Sequence, residues 1–180
     1  LKKTELKPFL SIGGYQMGGQ ILNIFSSNLD VFIIGKILGF EILGGYNLAK
    51  SLAIRPMSII NPIVTKVATP SFAKIQMDQA AMKANYNKLI KAITLISLPI
   101  YLGVAAVSKE VITFVYGSEY TSYHYILKIL CIYFALRSII NPMGSIIVAK
   151  GETKLEMQWN FVVLLTMPIV VLLTSFINIV

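Results

Sequence analysis

Five runs of predominantly apolar residues, 9–38, 46–67, 89–116, 125–148 and 155–180, follow one another with only short polar gaps between them. About 20 apolar residues in a helix cross the roughly 30 Å hydrocarbon core of a bilayer, and every run reaches that length. The fold expected is therefore an all-α integral membrane protein with about five transmembrane helices. Composition excludes the soluble alternative. Of 180 residues, 56% are hydrophobic and 13% charged, with a mean hydropathy of +0.72, whereas an ordinary soluble domain carries roughly 25% charge. The 16 basic and 8 acidic side chains are too few and too clustered to cover a core.

A formal net charge of +8 would point to nucleic acid in a soluble chain. Here the bases gather in gaps between apolar runs and read as topology signals, so no nucleic-acid partner is expected. The turns at 39–45 and 117–124 are nearly free of positive charge. The other side carries Lys2, Lys3, Lys7, Lys74, Lys83, Lys88, Lys150 and Lys154, with Lys66 and Lys91 at its edges. The positive-inside rule makes that side cytoplasmic, with the N-terminus inside and the first helix running outward. Tyr46, Tyr116, Tyr120, Tyr123 and Tyr125 then form an outer aromatic belt, with Tyr86 and Trp159 at the inner interface. The stretch 71–88, in which Phe72, Ile75, Met77 and Met82 lie among lysines, is expected as a short amphipathic helix on the inner surface. The first eight residues are polar and basic and the run after them is too long for a cleavable signal, so no signal peptide is expected. The chain starts on Leu1 and stops inside an apolar run, which marks it as an expected piece of a longer protein.

Polar residues step through three of the runs by threes and fours, the spacing that keeps side chains on one helix face. The first run carries Gln16, Gln20, Asn23, Ser27 and Asp30; the second Asn47, Ser51, Arg55, Ser58, Asn61 and Thr65; the fourth Tyr133, Arg137, Asn141 and Ser145. Such stripes avoid lipid, so these helices are expected to line a common polar cavity, with the third and fifth as an outer wall. Helix-packing hydrogen bonds are the alternative for the neutral residues. Asp30, Lys50, Arg55 and Arg137 are the ionisable residues well inside runs. A charge at the bilayer centre costs about 2.5–3.5 kcal/mol or more, and one acid cannot neutralise three bases. The surplus guanidinium suits an arriving phosphate or carboxylate, which its planar fork binds bidentately. Candidate ligand-binding residues are accordingly Arg55, Arg137, Lys50, Asn23, Asn47, Asn61 and Asn141, with Asp30 as a salt-bridge or ion-coupling residue.

Prolines 56, 62, 70, 99, 142 and 168 lie in or at the ends of runs, where cavity water or neighbouring helices can satisfy the freed backbone groups. The string Ser-Ile-Ile-Asn-Pro occurs at 58–62 and again at 138–142, as a parallel repeat or as convergence on a useful kink. Gly14 to Gly18 and Gly35 to Gly39 match the small-xxx-small packing pattern. Equipment for catalysis is sparse. His124 is the single histidine and Cys131 the single cysteine, and no paired-acid metal motif or Gly-rich phosphate loop occurs. No catalytic residue, metal site or cofactor is expected, and the chain is not expected to be an enzyme.

The residues Asn28 to Asp30, Ile34 to Gly39, Leu43 to Ala49, Pro56, Asn61 to Ala68 and Pro70 to Phe72, with Val115 to Tyr120 further on, resemble the central region of bacterial polysaccharide exporters. These form the O-antigen and colanic-acid flippase family of the multidrug, oligosaccharidyl-lipid and polysaccharide (MOP) exporter superfamily. The resemblance is strongest over 28–75 and loosens after Tyr125. It implies that the chain starts the second half of a two-lobe, MATE-like transporter of the bacterial inner (plasma) membrane, with its first helix the seventh and running outward. It also implies passage of an undecaprenyl-diphosphate-linked oligosaccharide between leaflets by alternating access around a cationic cavity, for surface polysaccharide biosynthesis. The partners implied are the lipid-linked oligosaccharide, the bilayer, the missing N-terminal half and polysaccharide-assembly proteins. The family has no short catalytic signature, so the roles of Arg55 and Arg137 rest on this sequence's own stripes. A multidrug antiporter of the same superfamily would call for an acidic cavity. A glycan polymerase would call for long outer loops with paired acids or arginines.

Overall fold

The computed structural model describes the backbone of residues 3–177 and the side chains of residues 13–166. Every element in that range is helical: α1 (Lys3–Ile37), α2 (Phe40–Lys74), α3 (Gln79–Ala106), α4 (Ser108–Tyr116), a 3₁₀ turn (Ser118–Tyr123), α5 (His124–Ile140), α6 (Pro142–Ala149) and α7 (Thr153–Ile177). Among the described residues, two helical stretches, Gln79–Ala106 and Ser118–Ala149, are long and apolar enough to cross a membrane. Lysines 2, 3 and 7, which weigh in the expected orientation, lie outside the described side chains, and residues 178–180 of the last apolar run lie outside the described backbone.

Three connections differ from expectation. The Gly-rich turn expected over 39–45 shrinks to Leu38 and Gly39. Gly39 adopts φ +87°, a conformation that costs glycine least, while Gly44 and Gly45 already belong to α2. The short amphipathic helix expected over 71–88 is not a separate element. Helix α2 runs on to Lys74 despite Pro56, Pro62 and Pro70, turns through 75–78, and gives way to α3. Asp78 caps that helix, its Oδ1 accepting the Ala81 N–H at 2.9 Å. The third and fourth apolar runs are each broken, at Val107 and at Asn141. Asn141 itself keeps helical dihedrals, φ −54° and ψ −35°; the ladder lapses because Pro142 has no N–H to donate to the Ser138 carbonyl, and the Pro142 side chain is buried there. The same pentapeptide at 58–62 leaves α2 continuous, and there Pro62 is exposed.

The chain forms two compact units. In the unit spanning 41–149, α3 and α5 pack along their length. Its core joins Ala49, Ala53 and Met57 of α2, Tyr101 of α3, Ile112 of α4, and Leu127, Cys131, Phe134 and Ala135 of α5. A second cluster forms where α2 ends and α3 begins, around Ala68, Phe72 and Met82. The other unit pairs α1 with α7. In both units large apolar side chains face outward: Phe114 is 93% exposed, Leu95 77%, and Phe32 and Trp159 68% each. Water would penalise such a surface and lipid does not, which gives the chain its membrane-protein character.

Glycine is required at one point in α2. A Cβ on the buried Gly45 would overlap the ring of Tyr123, whereas one on Gly44 meets nothing within 4 Å. Gly45→Ala is therefore expected to lower the melting temperature of the intact protein in detergent. Overpacking of about 1–3 kcal/mol outweighs the gain of about 1 kcal/mol in helix propensity. Gly44→Ala keeps only the gain and should leave the melting temperature unchanged or raised.

Candidate functional site

Helix α2 sorts its side chains into two stripes. Gly45, Ala49, Ala53 and Met57, each four residues beyond the last, are buried. The stripe picked out by its polar residues lies beside them: Asn47, Arg55, Ser58 and Thr65 are exposed, and Lys50, Ser51 and Asn61 half-buried. Ser51 Oγ shares a 3.0 Å hydrogen bond with the Tyr116 hydroxyl, and the Lys50 ammonium sits 5.9 Å from the centroid of the Tyr46 ring. The Arg55 guanidinium has no hydrogen-bond or ion-pair partner among the described residues. Two residues beyond it the backbone is anchored from another helix, the Met57 N–H donating to the hydroxyl of the buried Tyr101 at 3.1 Å. Pro56 leaves the carbonyl of Leu52 without its helical donor, and the bond from Tyr101 steadies α2 beside that defect.

Arg137 is half-buried in the last turn of α5. Its Nη1 donates to the Tyr133 hydroxyl at 3.1 Å, and the guanidinium lies 5.9 Å from the centroid of the same ring. Neither arginine is bonded to a carboxylate among the described residues. Asn141, half-buried, is the residue at which α5 gives way to α6. Of the candidate residues, Asn47, Lys50, Arg55, Asn61 and Arg137, on α2 and α5, and Asn141, at the end of α5, thus share the unit 41–149, in which those two helices contribute to one core. Asn23 and Asp30 stand on α1, in the other unit. Two exposed or half-buried guanidinium groups without acids present donors that an anion can occupy at little cost in displaced partners. Among the described residues no three His, Cys, Asp or Glu side chains gather into a metal-holding group.

In the α1–α7 unit, Asn23 Nδ2 donates to Asn160 Oδ1 at 3.4 Å, and Asn160 Nδ2 donates to the Gly19 carbonyl at 3.1 Å. Asn160 is buried, and Met157 lies against Gly18 and Gly19, where the absence of side chains lets the two helices approach. The fifth run is therefore more than an outer wall, and Asn23 has a packing role that the stripe did not distinguish from cavity lining. Within the first small-xxx-small match, Gly18 meets α7, while a Cβ on Gly14 would meet nothing within 4 Å. The third run also has an inward face, since α3 buries Ile93, Ser97 and Tyr101. Glu156 and Asn160, four residues apart in an apolar run, and Ser97 and Tyr101 at the same spacing, were the sequence signals for these inward faces. His124 turns back on the preceding turn, its Nδ1 2.8 Å from the Thr121 carbonyl and its ring, tilted by 40°, 3.9 Å from that of Tyr125.

A family described as polysaccharide biosynthesis protein matches residues 1–125. Among curated proteins, the chain is 36% identical over 170 residues to the lipopolysaccharide biosynthesis protein WzxC of Escherichia coli, covering 94% of this chain and 35% of that protein. It is 38% identical over 160 residues to the teichuronic acid biosynthesis protein TuaB of Bacillus subtilis, covering 89% of this chain and 33% of that one. It is also 35% identical over 161 residues to an uncharacterized membrane protein in the cps region of Klebsiella pneumoniae, covering 89% and 33%. The chain thus spans about a third of the length of the relatives it matches. No solved structure matches it. With an all-helical fold, an outward apolar surface and a family match over more than half of its residues, the chain belongs to the polysaccharide biosynthesis protein family.

Proposed function

We propose that the chain is part of an exporter that carries an undecaprenyl-diphosphate-linked oligosaccharide from the inner to the outer leaflet of the bacterial plasma membrane, by alternating access and without breaking a bond. The observation that carries this proposal is the pair of arginines, Arg55 and Arg137, that stand on two helices sharing the core of one unit, with no carboxylate partner among the described residues. A substrate diphosphate supplies the acceptors they lack, and Arg in place of Lys favours a planar, multi-oxygen ligand. Lys50, Asn47, Asn61 and Asn141 extend the polar surface along α2 and α5 for the sugar. Asp30, on α1, is the residue of this reading that carries a coupling ion. The N-terminus of the chain lies in the cytoplasm, and a second helical lobe completes the cavity. The two relatives named for their products belong to the biosynthesis of different polymers, which fits a grip on an anionic anchor better than a grip on particular sugars.

Reconstitution tests the proposal. The intact protein, placed in liposomes loaded in one leaflet with a fluorescent undecaprenyl-diphosphate-linked oligosaccharide, is expected to expose the label to an outside quencher well above the rate of protein-free liposomes. An undecaprenyl monoglycoside without phosphate should not be moved. Equal rates with and without protein would overturn the transport assignment, and equal rates for the two lipids would overturn the role of the diphosphate.

A further inference from the structure

Where α2 turns into α3, the chain carries a feature that sugar export leaves unused. A groove of about 390 Å³ opens there between the end of α2 and the start of α3. Its floor is apolar, made by Val67, Ala68, Phe72, Ile75 and Leu89, and Lys88 stands on its wall. Ala68 and Phe72 belong to the buried cluster beneath, so the floor is fixed by packing and present without a ligand. The surroundings are strongly basic. Lys66, Lys74, Lys83, Lys88 and Lys91 are all exposed, and none has a hydrogen-bond or ion-pair partner among the described residues. Asp78 is the only acid between residues 66 and 91, and its carboxylate is engaged in capping α3. Met77, at the tip of the turn, is 92% exposed.

We propose that this groove is a binding site for one anionic phospholipid. Its acyl chain lies along Val67, Phe72, Ile75 and Leu89, and its phosphodiester meets Lys88 and Lys91, which stand three residues apart on one side of α3. The two halves of the site select the same ligand. A soluble phosphate would satisfy the lysines and leave the apolar floor wet. A zwitterionic lipid would fill the floor but bring its own cation against five lysines. Phosphatidylglycerol satisfies both, and the chain's membrane character places such lipids beside the groove at high local concentration. The basic, amphipathic stretch 71–88 thus acts as a bent clasp on lipid, in place of a helix lying on the surface.

The test uses the intact protein in detergent, with lipid retention read by native mass spectrometry and stabilisation read by melting temperature. Wild-type protein is expected to retain phosphatidylglycerol about tenfold better than phosphatidylcholine, and the double variant Lys88→Ala, Lys91→Ala to lose that preference. Ser71 is exposed at the groove edge, so Ser71→Trp fills the groove with the lysines intact and should lower phosphatidylglycerol retention by a similar factor. Should that variant fail to fold, the lysine pair, which is exposed, still decides the matter. Equal retention of the two lipids by wild type, or retention unchanged in the variants, would overturn the proposal. So would inorganic phosphate raising the melting temperature as far as phosphatidylglycerol, because it would reduce the site to a bare anion patch. None of these readouts involves a sugar substrate, so they stand apart from the export assay.

Discussion

Replacing Arg55 and Arg137 together by alanine is expected to lower surface polysaccharide at least tenfold in cells whose membranes hold normal amounts of the protein. Hydrogen bonds to a charged partner contribute about 1.5–3 kcal/mol each, and 1.4 kcal/mol corresponds to a factor of ten. Each single change should therefore cost roughly tenfold in affinity for the diphosphate, and the double change more. The two singles are expected to differ in one respect. Arg55 has no partner to lose among the described residues, so Arg55→Ala removes ligand contacts and little else. Arg137 holds the Tyr133 hydroxyl at 3.1 Å and covers its ring, so Arg137→Ala also frees Tyr133 and should lower the melting temperature slightly. Arg→Lys at either position keeps the charge and loses the fork, so export should recover only in part. Quantifying cell-surface polysaccharide against membrane protein level checks all five variants, and undiminished export in the double alanine variant would remove the anion-binding mechanism.

The second large effect concerns stability. Tyr101 is 2% exposed at the centre of the 41–149 unit, packed with residues of α2, α4 and α5. Tyr101→Ala is expected to cost about 3–5 kcal/mol, the range for removing a buried aromatic ring, and to deplete the folded protein in membranes. Tyr101→Phe separates the ring from its hydroxyl. It keeps the packing and removes the acceptor of the Met57 N–H, at the point where Pro56 has already weakened α2. An interhelical hydrogen bond in a membrane contributes about 0.6 kcal/mol on average and up to about 1.7. The phenylalanine variant should fall at the upper end, because the N–H it strands is buried. Thermal unfolding of the intact protein in detergent, followed by far-UV circular dichroism, measures both. A phenylalanine variant as stable as wild type would mean that α2 satisfies its own backbone around Pro56.

Much of the candidate site was legible because a polar residue in a long apolar run is conspicuous, and its spacing alone assigns it to a helix face. That reasoning placed Arg55 and Arg137 on polar stripes, which are expected to face away from lipid. It did not separate the two uses of a neutral polar side chain. Asn23 and Asn160 lie 137 residues apart and meet through an amide contact, and nothing local to either position announces the other.

Hydropathy is a property of each residue summed along the chain, so the sequence by itself determined that this protein is all-α and belongs in a membrane. Local geometry is not decided that way. The same five residues, Ser-Ile-Ile-Asn-Pro, stay inside one continuous helix at 58–62 and end a helix at 138–142. Only the tertiary structure chose between those outcomes, because Pro142 is enclosed by packing that holds the break and Pro62 projects outward from a helix with nothing to hold it bent. The tertiary structure likewise gave the third and fifth apolar runs an inward face, through Tyr101 and Asn160, since a hydrogen bond across helices exists only where two distant stretches of backbone come together.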